Sequence, residues 1–383
     1  MRCNVCYTEL GPAIYEAASD QALTSLCQLR QGRVRVWLCP ACGHMRGEAL
    51  PDTRDYYEFD YRILLDNDEE DQIYEVQGDY IVYRTDHQVA TLLAKLNLPE
   101  SARLLDYGCA KAATPRRLLS CRTDLKIHLF DISDMYTRYW QQFLPERRWA
   151  IHDIPAFWKD RFDVVTSFFS LEHIPDPLDT VGQIADLLAA DGVFYGIVPD
   201  AFHNVADFVV IDHVNHFTDI SLYTLLRAGG FADICIDSCV HRGALVFTAR
   251  KTGPETERPD LAPSLAHSRQ LAEYWVGLGD RIRAAEADHP GVHAAIYGSG
   301  FYGAYIASIL GDPGRVQCFL DASPYQQGKT LFGHAILPPP QLAETVRLLY
   351  VGLNPLTARD VVTRMRWLRD RSLTLVYLDE DAT

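Results

Sequence analysis

The residues of this chain that have the types and spacing for chemistry fall into three groups. The first is Asp212-His213-Val214-Asn215-His216, with His173 earlier in the sequence. An acid beside a histidine, with further imidazoles in the same fold, is the set found where pKa values are tuned to take or give a proton. Each histidine alone has a simpler reading as a buried, hydrogen-bonded ring. The second group is Asp106-Tyr107-Gly108-Cys109-Ala110-Lys111-Ala112, followed downstream by Asp131. A turn of tiny residues after a strand lets the backbone approach a ligand closely, and an acid ending the next strand can grip both hydroxyls of a ribose. Taken alone, Asp-x-Gly is also an ordinary turn. The third group is Cys3-Asn-Val-Cys6 and Cys39-Pro-Ala-Cys42. Two such knuckles supply four thiolates, which tetrahedral Zn²⁺ takes up with no position left for water, so the site they imply is structural. Unpaired thiols are the alternative.

Composition limits what these groups can serve. Hydrophobic residues make up 48% and charged residues 23%, a globular composition, and 383 residues exceed one ordinary core, so several domains are expected. Lys and Arg total 36 against 51 Asp and Glu, a net charge of −15. Such a chain repels a phosphate backbone unless a local basic face exists. The sequence displays no such face, so nucleic acid is not an expected partner. The start, MRCNVCYTEL, has polar residues where a signal peptide needs an apolar stretch, and no run of about 18 apolar residues occurs. The expectation is a soluble, cytoplasmic enzyme with no membrane partner, whose clustered cysteines bind metal rather than each other.

Positioning these groups falls to a run of βα units. Residues 102–108, ARLLDYG, form a strand and turn, and TPRRLLSC the helix that follows. IHLFDIS is a second strand, ending in Asp131. FDVVTSFF is a third, running into Ser170-Leu171-Glu172-His173-Ile174-Pro175-Asp176-Pro177, then an amphipathic helix and the strand GVFYGIVPD. Four such units predict a mainly parallel sheet with right-handed crossovers. Between the cysteine pairs, AIYEAASDQALTSLCQL carries a helix-like pattern with Cys27 in its core, so the knuckles are expected to clasp an inserted element. The acidic, tyrosine-rich stretch 52–79 has two readings. It is a solvated charged face on one or two helices, or Tyr56, Tyr57, Tyr61 or Tyr74 wall a small-molecule pocket.

DYGCAKA and LEHIPDP, in this order, resemble class I S-adenosylmethionine-dependent methyltransferases, whose first motif is Asp-x-Gly-x-Gly-x-Gly and whose fourth strand often ends in Leu-Glu-His-x-x-Asp-Pro. FADICIDSCVHRGALVFTAR is similar to that family's closing antiparallel hairpin. The resemblance implies an α/β fold with a central Rossmann-like domain and S-adenosylmethionine as cofactor, held by Asp106, Gly108, Ala110, Ala112, Asp131, Asp153 and Phe169. Ala110 and Ala112 stand where glycine is usual and add a methyl group at each close approach.

The layout of the whole chain also resembles the three-domain sugar C-methyltransferases that act on nucleotide-linked 4-keto sugars. It implies a zinc-binding module over 1–50 held by Cys3, Cys6, Cys39 and Cys42, and a helical connecting segment over 51–100. The methyltransferase domain then covers 101–250 and a C-terminal Rossmann-like, substrate-associated domain 251–383. Asp212-His213-Val214-Asn215-His216-Phe217-Thr218 looks like that family's base motif, with His216 in place of an aromatic and Val210 where a tyrosine stands. On this resemblance His213 is the general base, Asp212 its orienting acid and His173 an additional acid or base. The partner is a small-molecule substrate, a nucleotide-linked sugar or related metabolite, methylated on carbon or oxygen.

Lys251-Thr-Gly-Pro-Glu-Thr-Glu-Arg-Pro reads as a linker, followed by a long amphipathic helix ending near Asp288. Gly298-Ser299-Gly300-Phe301-Tyr302-Gly303, with Asp321 closing the next strand, has the form of a dinucleotide fingerprint. A tight turn without a ligand has the same form. The resemblance reads it instead, with Gln327-Gly328 and Gly352-Leu353-Asn354-Pro355, as part of the substrate domain. Two further functions stay open: a scaffold that keeps the methyltransferase fold without turnover, motivated by Ala110 and Ala112, and a nicotinamide-dependent enzyme using 298–303.

Overall fold

Apolar runs without alternation, such as those around Leu104-Leu105 and Val164-Val165, belong to parallel strands covered on both faces. The computed structural model, which describes residues 1–61, 71–77, 80–254, 256–369 and 371–379, places five such parallel strands in one seven-stranded sheet. The seven are β1 (Arg103–Tyr107), β2 (Lys126–Asp131), β3 (Trp149–Ile151), β4 (Phe162–Phe168), β5 (Leu188–Pro199), β6 (Asp233–Asp237) and β7 (Ala244–Arg250). Their order is β3-β2-β1-β4-β5-β7-β6. β1 to β5 are mutually parallel, and β7 runs antiparallel to both β5 and β6. Successive side chains alternate between faces. Leu105, Val165, Phe194 and Phe247 therefore join one buried cluster with Val181, Ile184 and Leu225 from the helices Pro177–Leu187 and Asp219–Ala228. Leu104, Val164, Tyr195 and Val246 join the other with Val89, Leu92 and Leu118 from Arg84–Lys95 and Ala113–Cys121.

This sheet lies in a compact unit made of Met1–Ala13, Val36–Phe202 and Asp212–Ser268. The unit also holds both cysteine knuckles. The strand Met45–Gly47 pairs antiparallel with Arg35–Leu38 on one side and with Asn215–His216 on the other.

The second unit comprises Ile14–Arg35, His203–Ile211 and Arg269–Thr383. Its six-stranded sheet has Ala294–Tyr297 between Val316–Leu320 and Leu348–Val351, all parallel. The helix Leu261–Asp288 forms where its pattern predicts. The stretch between the knuckles differs from its predicted helix, since Gln21–Leu23 and Leu29–Gln31 form a β-hairpin. Side chains there capture backbone groups a helix would need: Gln21 N–H donates to Ser19 Oγ at 3.0 Å and Gln28 N–H to Thr24 Oγ1 at 3.2 Å. Cys27 takes a left-handed φ of 59° in the turn and is half-buried rather than core. The connecting segment carries a hairpin, Ile73–Gln77 with Tyr80–Tyr83, besides its helix Arg84–Lys95. Residues 62–70 and 78–79 of the tyrosine-rich stretch lie outside the described residues. No described helix is long and apolar enough to cross a membrane.

Candidate active site

A doubly wound sheet opens a crevice outside the carboxyl ends of its strands, where the strand order reverses. Here that point lies between β1 and β4, and the acids foreseen for ligand binding sit at it. Asp106, near the end of β1, lies opposite Thr166 of β4 and accepts a hydrogen bond from its hydroxyl at 2.7 Å. Asp131 ends β2 and accepts from the backbone N–H of Ala110 at 2.8 Å and of Ser133 at 3.1 Å. Burial pushes the Asp106 carboxyl up to about 7 and that of Asp131 up to about 6. Gly108 has a φ of 73°, and a side chain there would run into Ser170. Asp153 is exposed just past β3. Phe169 follows β4 with a φ of 52°, its ring covered by the Arg84 guanidinium at 3.8 Å and flanked by His241. Arg84, unforeseen from the sequence, loses hydration there, and burial lowers its pKa.

Ala110 and Ala112 both take left-handed φ values, 44° and 56°. A β-carbon costs about 1–2 kcal/mol in that region, against less than about 1 kcal/mol of unfolded-chain entropy that glycine adds. Ala110→Gly and Ala112→Gly are therefore each expected to stabilise the fold by several tenths of a kcal/mol and to leave ligand binding intact. Denaturant titration checks this, and a loss of stability in both variants would contradict the strain argument.

The two buried acids give a pH dependence of definite sign. Both are raised above the ordinary value of 3.8, so their contribution to folding is fully present below about pH 4 and is lost as pH rises through 6 to 7. A ribose, whose hydroxyls donate to a carboxylate, is held better by the ionised form. Nucleoside affinity should thus fall as pH drops below 6, and Asp131→Asn should weaken it on the order of 100-fold while flattening that dependence. Calorimetry between pH 5 and 8 measures both.

The residues foreseen for proton handling gather beside the Gly108 turn. Ser170, packed on Gly108, leads directly into the 3-10 turn Leu171–His173. His173 Nδ1 lies 2.9 Å from the Tyr57 hydroxyl and 3.0 Å from the Asp212 carbonyl oxygen, while Tyr57 O–H donates to that same carbonyl at 2.7 Å. With the phenol proton spent on the carbonyl, the network assigns the imidazole proton to Nδ1 and leaves Nε2 basic, 3.5 Å from the Tyr61 hydroxyl. Burial and the nearby Asp212 carboxylate hold the Tyr57 phenol well above its ordinary range, so it stays neutral. His213 meets His173 edge to face with ring centroids 4.6 Å apart. A carboxylate oxygen of Glu172 and one nitrogen each of His173 and His213 lie within 4.8 Å of one another, close enough to hold a divalent cation or to pass a proton through one bridging water.

Asp212 is 1% exposed, and its carboxylate accepts from Tyr56 O–H at 3.2 Å and lies 3.9 Å from His173 Nδ1. Its orienting contacts thus include His173, which the sequence pairing with His213 did not suggest. Tyr56, Tyr57 and Tyr61 belong to this site, whereas Tyr74 stacks on His87 at 3.8 Å.

The four cysteine sulfurs lie within 4.8 Å of one another, with Sγ separations of 3.7 Å for Cys3–Cys42 and 3.4 Å for Cys6–Cys39. Four sulfurs at about 2.3 Å from a zinc ion sit about 3.8 Å apart, so the arrangement fits. Left-handed Tyr7 and Gly43 close the two knuckles. Next to them stands Asn215, which the sequence placed in the Asp212–His216 run without a role of its own. It is fully buried, accepts from Asn4 Nδ2 at 2.7 Å, lies 3.2 Å from His44 Nε2, and donates to the carbonyls of Leu171 and Ile174 at 2.8 and 2.7 Å. One amide side chain ties the cysteine module to the turn that carries His173.

In the second unit two of the three glycines of 298–303, Gly298 and Gly303, have packing reasons. A side chain on Gly303 would strike the Gly298 carbonyl, and one on Gly352 would come within 2.7 Å of Gly303 Cα. Asp321 accepts from Ser299 N–H at 2.9 Å, Ser299 Oγ at 2.6 Å and Ser323 N–H at 2.8 Å. Both oxygens of the acid that would grip a ribose are engaged within the turn.

The strand order, the turn and paired acids at its reversal, and the closing antiparallel strand form the arrangement expected of a class I S-adenosylmethionine-dependent methyltransferase domain. Residues 80–236 match the methyltransferase domain family. Over 103 residues the chain is 32% identical to the C-methyltransferase NovU of Streptomyces niveus, which is 25% of this chain and 24% of that protein. Over 112 residues it is 29% identical to a trans-aconitate 2-methyltransferase of Variovorax paradoxus, 28% of this chain and 43% of that one. The chain thus spans under half the length of either relative. An S-adenosylmethionine-dependent methyltransferase structure from Mesorhizobium loti matches 43% of this chain and 97% of its own, at 16% identity and a TM-score of 0.36.

Proposed function

We propose that this protein transfers the methyl group of S-adenosylmethionine to a carbon alpha to a carbonyl, or to an oxygen, of a nucleotide-linked sugar or similar small metabolite. The observation that carries the reading is the convergence of His173, His213 and Glu172, with Tyr57 and Tyr61, one turn beyond the Gly108 cradle. Bound at that cradle, the cofactor supplies an electrophilic methyl on a sulfonium. Asp131 would hold its ribose, and the backbone of Gly108 to Ala112 would line its approach.

An acceptor carbon or oxygen must lose a proton in or before transfer, and a positioned base contributes about 10² to 10⁴ in rate. His213 takes that role, Asp212 and Tyr57 fix the facing His173, and its basic Nε2 provides a second acceptor. Proton handling is favoured over a bound cation because phenol hydroxyls already stand at both His173 nitrogens. The likeness to a C-methyltransferase supports carbon as the acceptor atom. The four cysteines are assigned to a structural zinc on their separations.

The test is incubation with methyl-labelled cofactor and a panel of nucleotide-linked keto sugars. Label in one sugar product, carbon-bound by NMR, is the expected result. Label transferred to none of them, by enzyme that binds the cofactor, would overturn the acceptor class.

A further inference from the structure

Strand starts in a parallel sheet share one edge, opposite the edge that carries the crevice. Arg103 is the first residue of β1, Lys126 the first of β2, Arg147 and Arg148 immediately precede β3, and Arg161 immediately precedes β4. Scattered over the sequence, they are collected by the topology, and with His128 they line one cavity of about 270 Å³. Arg103 is neutralised by Asp163, with contacts of 3.0 and 3.2 Å. The Asp163 carboxylate also feels the charge of Lys126, while among the described residues Arg147, Arg148 and Arg161 form no ion pair; all but the half-buried Arg148 are exposed. His128 is buried, edge-on to Trp158 and Phe162, and desolvation holds its imidazole down at about 4, so it adds no charge.

Four cations, three of them arginines without an ion pair, stand around one concavity with Arg103 and a single acid, Asp163, and so focus a positive potential in a chain of net charge −15. Guanidinium groups pair bidentately with phosphate oxygens, and three of the four cations are arginines. One phosphate would leave most of this charge unmatched. A polynucleotide needs an extended basic stripe, which this compact hollow is not. We propose that the cavity binds a compact anion with two or three linked phosphates, free or at the end of a nucleotide. A five-residue strand spans about 16 Å, so this site is separate from the Asp106–Asp131 cradle and does not depend on the acceptor proposed above.

The test is calorimetric titration of the full chain with inorganic pyrophosphate and with tripolyphosphate at constant ionic strength. Orthophosphate, ATP and polyglutamate serve as comparison arms. Saturable one-to-one binding of pyrophosphate or tripolyphosphate, at least tenfold tighter than orthophosphate, is expected. ATP binding equally well places the site on the phosphates, and ATP binding much tighter assigns it to a nucleotide. Arg147→Glu with Arg161→Glu, both exposed, should weaken binding at least tenfold without changing S-adenosylmethionine affinity. Absence of saturable binding, binding unaffected by those substitutions in a folded protein, or polyglutamate binding as tightly would each overturn the proposal.

Discussion

His213→Ala is expected to bind S-adenosylmethionine as the unmodified chain does and to transfer methyl groups about 10² to 10⁴ times more slowly. The separation of binding from rate follows from where the residues stand. Asp106, Asp131 and Gly108 form the cradle on β1 and β2, while His213 lies across from it against His173. The readout most specific to a base is exchange of the acceptor's alpha proton with deuterated water. It should proceed in the unmodified enzyme and be lost in the variant. Should His213→Ala turn over normally while His173→Ala fails, the base is His173, whose Nδ1 proton is fixed by Tyr57 and the Asp212 carbonyl. Normal turnover by both variants would remove base assistance from the account.

Cys39→Ser should have the larger effect on the fold. A structural zinc contributes about 10–16 kcal/mol of apparent binding free energy in small metal-dependent folds, and losing one of four thiolates forfeits much of it. The consequence reaches the site because the module grips it. Asn4 and His44, beside the knuckles, contact Asn215, and Asn215 holds the carbonyls of Leu171 and Ile174 on either side of His173. Asn215–His216 is in turn a strand of the module's sheet. The expected outcome is zinc loss by elemental analysis, a lower melting temperature and a parallel drop in turnover. Cys121→Ser, at an exposed cysteine, should change none of these. A zinc-free Cys39→Ser chain that melts and turns over normally would contradict both the metal and its positioning role.

What the sequence made legible was local. The strands announced themselves because two-sided burial leaves continuous apolar runs, and Asp106 and Asp131 because acids ending strands are rare in such runs. The inserted stretch was misread because Ser19 and Thr24 capture backbone groups, a competition that apolar spacing does not register. Tyr57 and Tyr61 were undecided and Asn215 had no role assigned, because their roles come from contacts across the fold. Tyr57 reaches His173, and Asn4 reaches Asn215, through tertiary packing alone. The basic cavity was invisible for the same reason: no two of its four segments are neighbours in sequence, and only parallel strand order brings them to one edge. The alanines in the glycine turn were seen, but their left-handed conformation was not, since φ is set by the turn that Asp131 and Trp140 hold through the Ala110 backbone.

The turn after β1 is expected to be a working S-adenosylmethionine site despite its two alanines. Titrating the cofactor into the folded, zinc-loaded chain by calorimetry tests it most directly. One site per chain is expected, weakened on the order of 100-fold by Asp131→Asn and unchanged by His213→Ala. No detectable binding by a folded sample, or binding indifferent to Asp131→Asn, would contradict it.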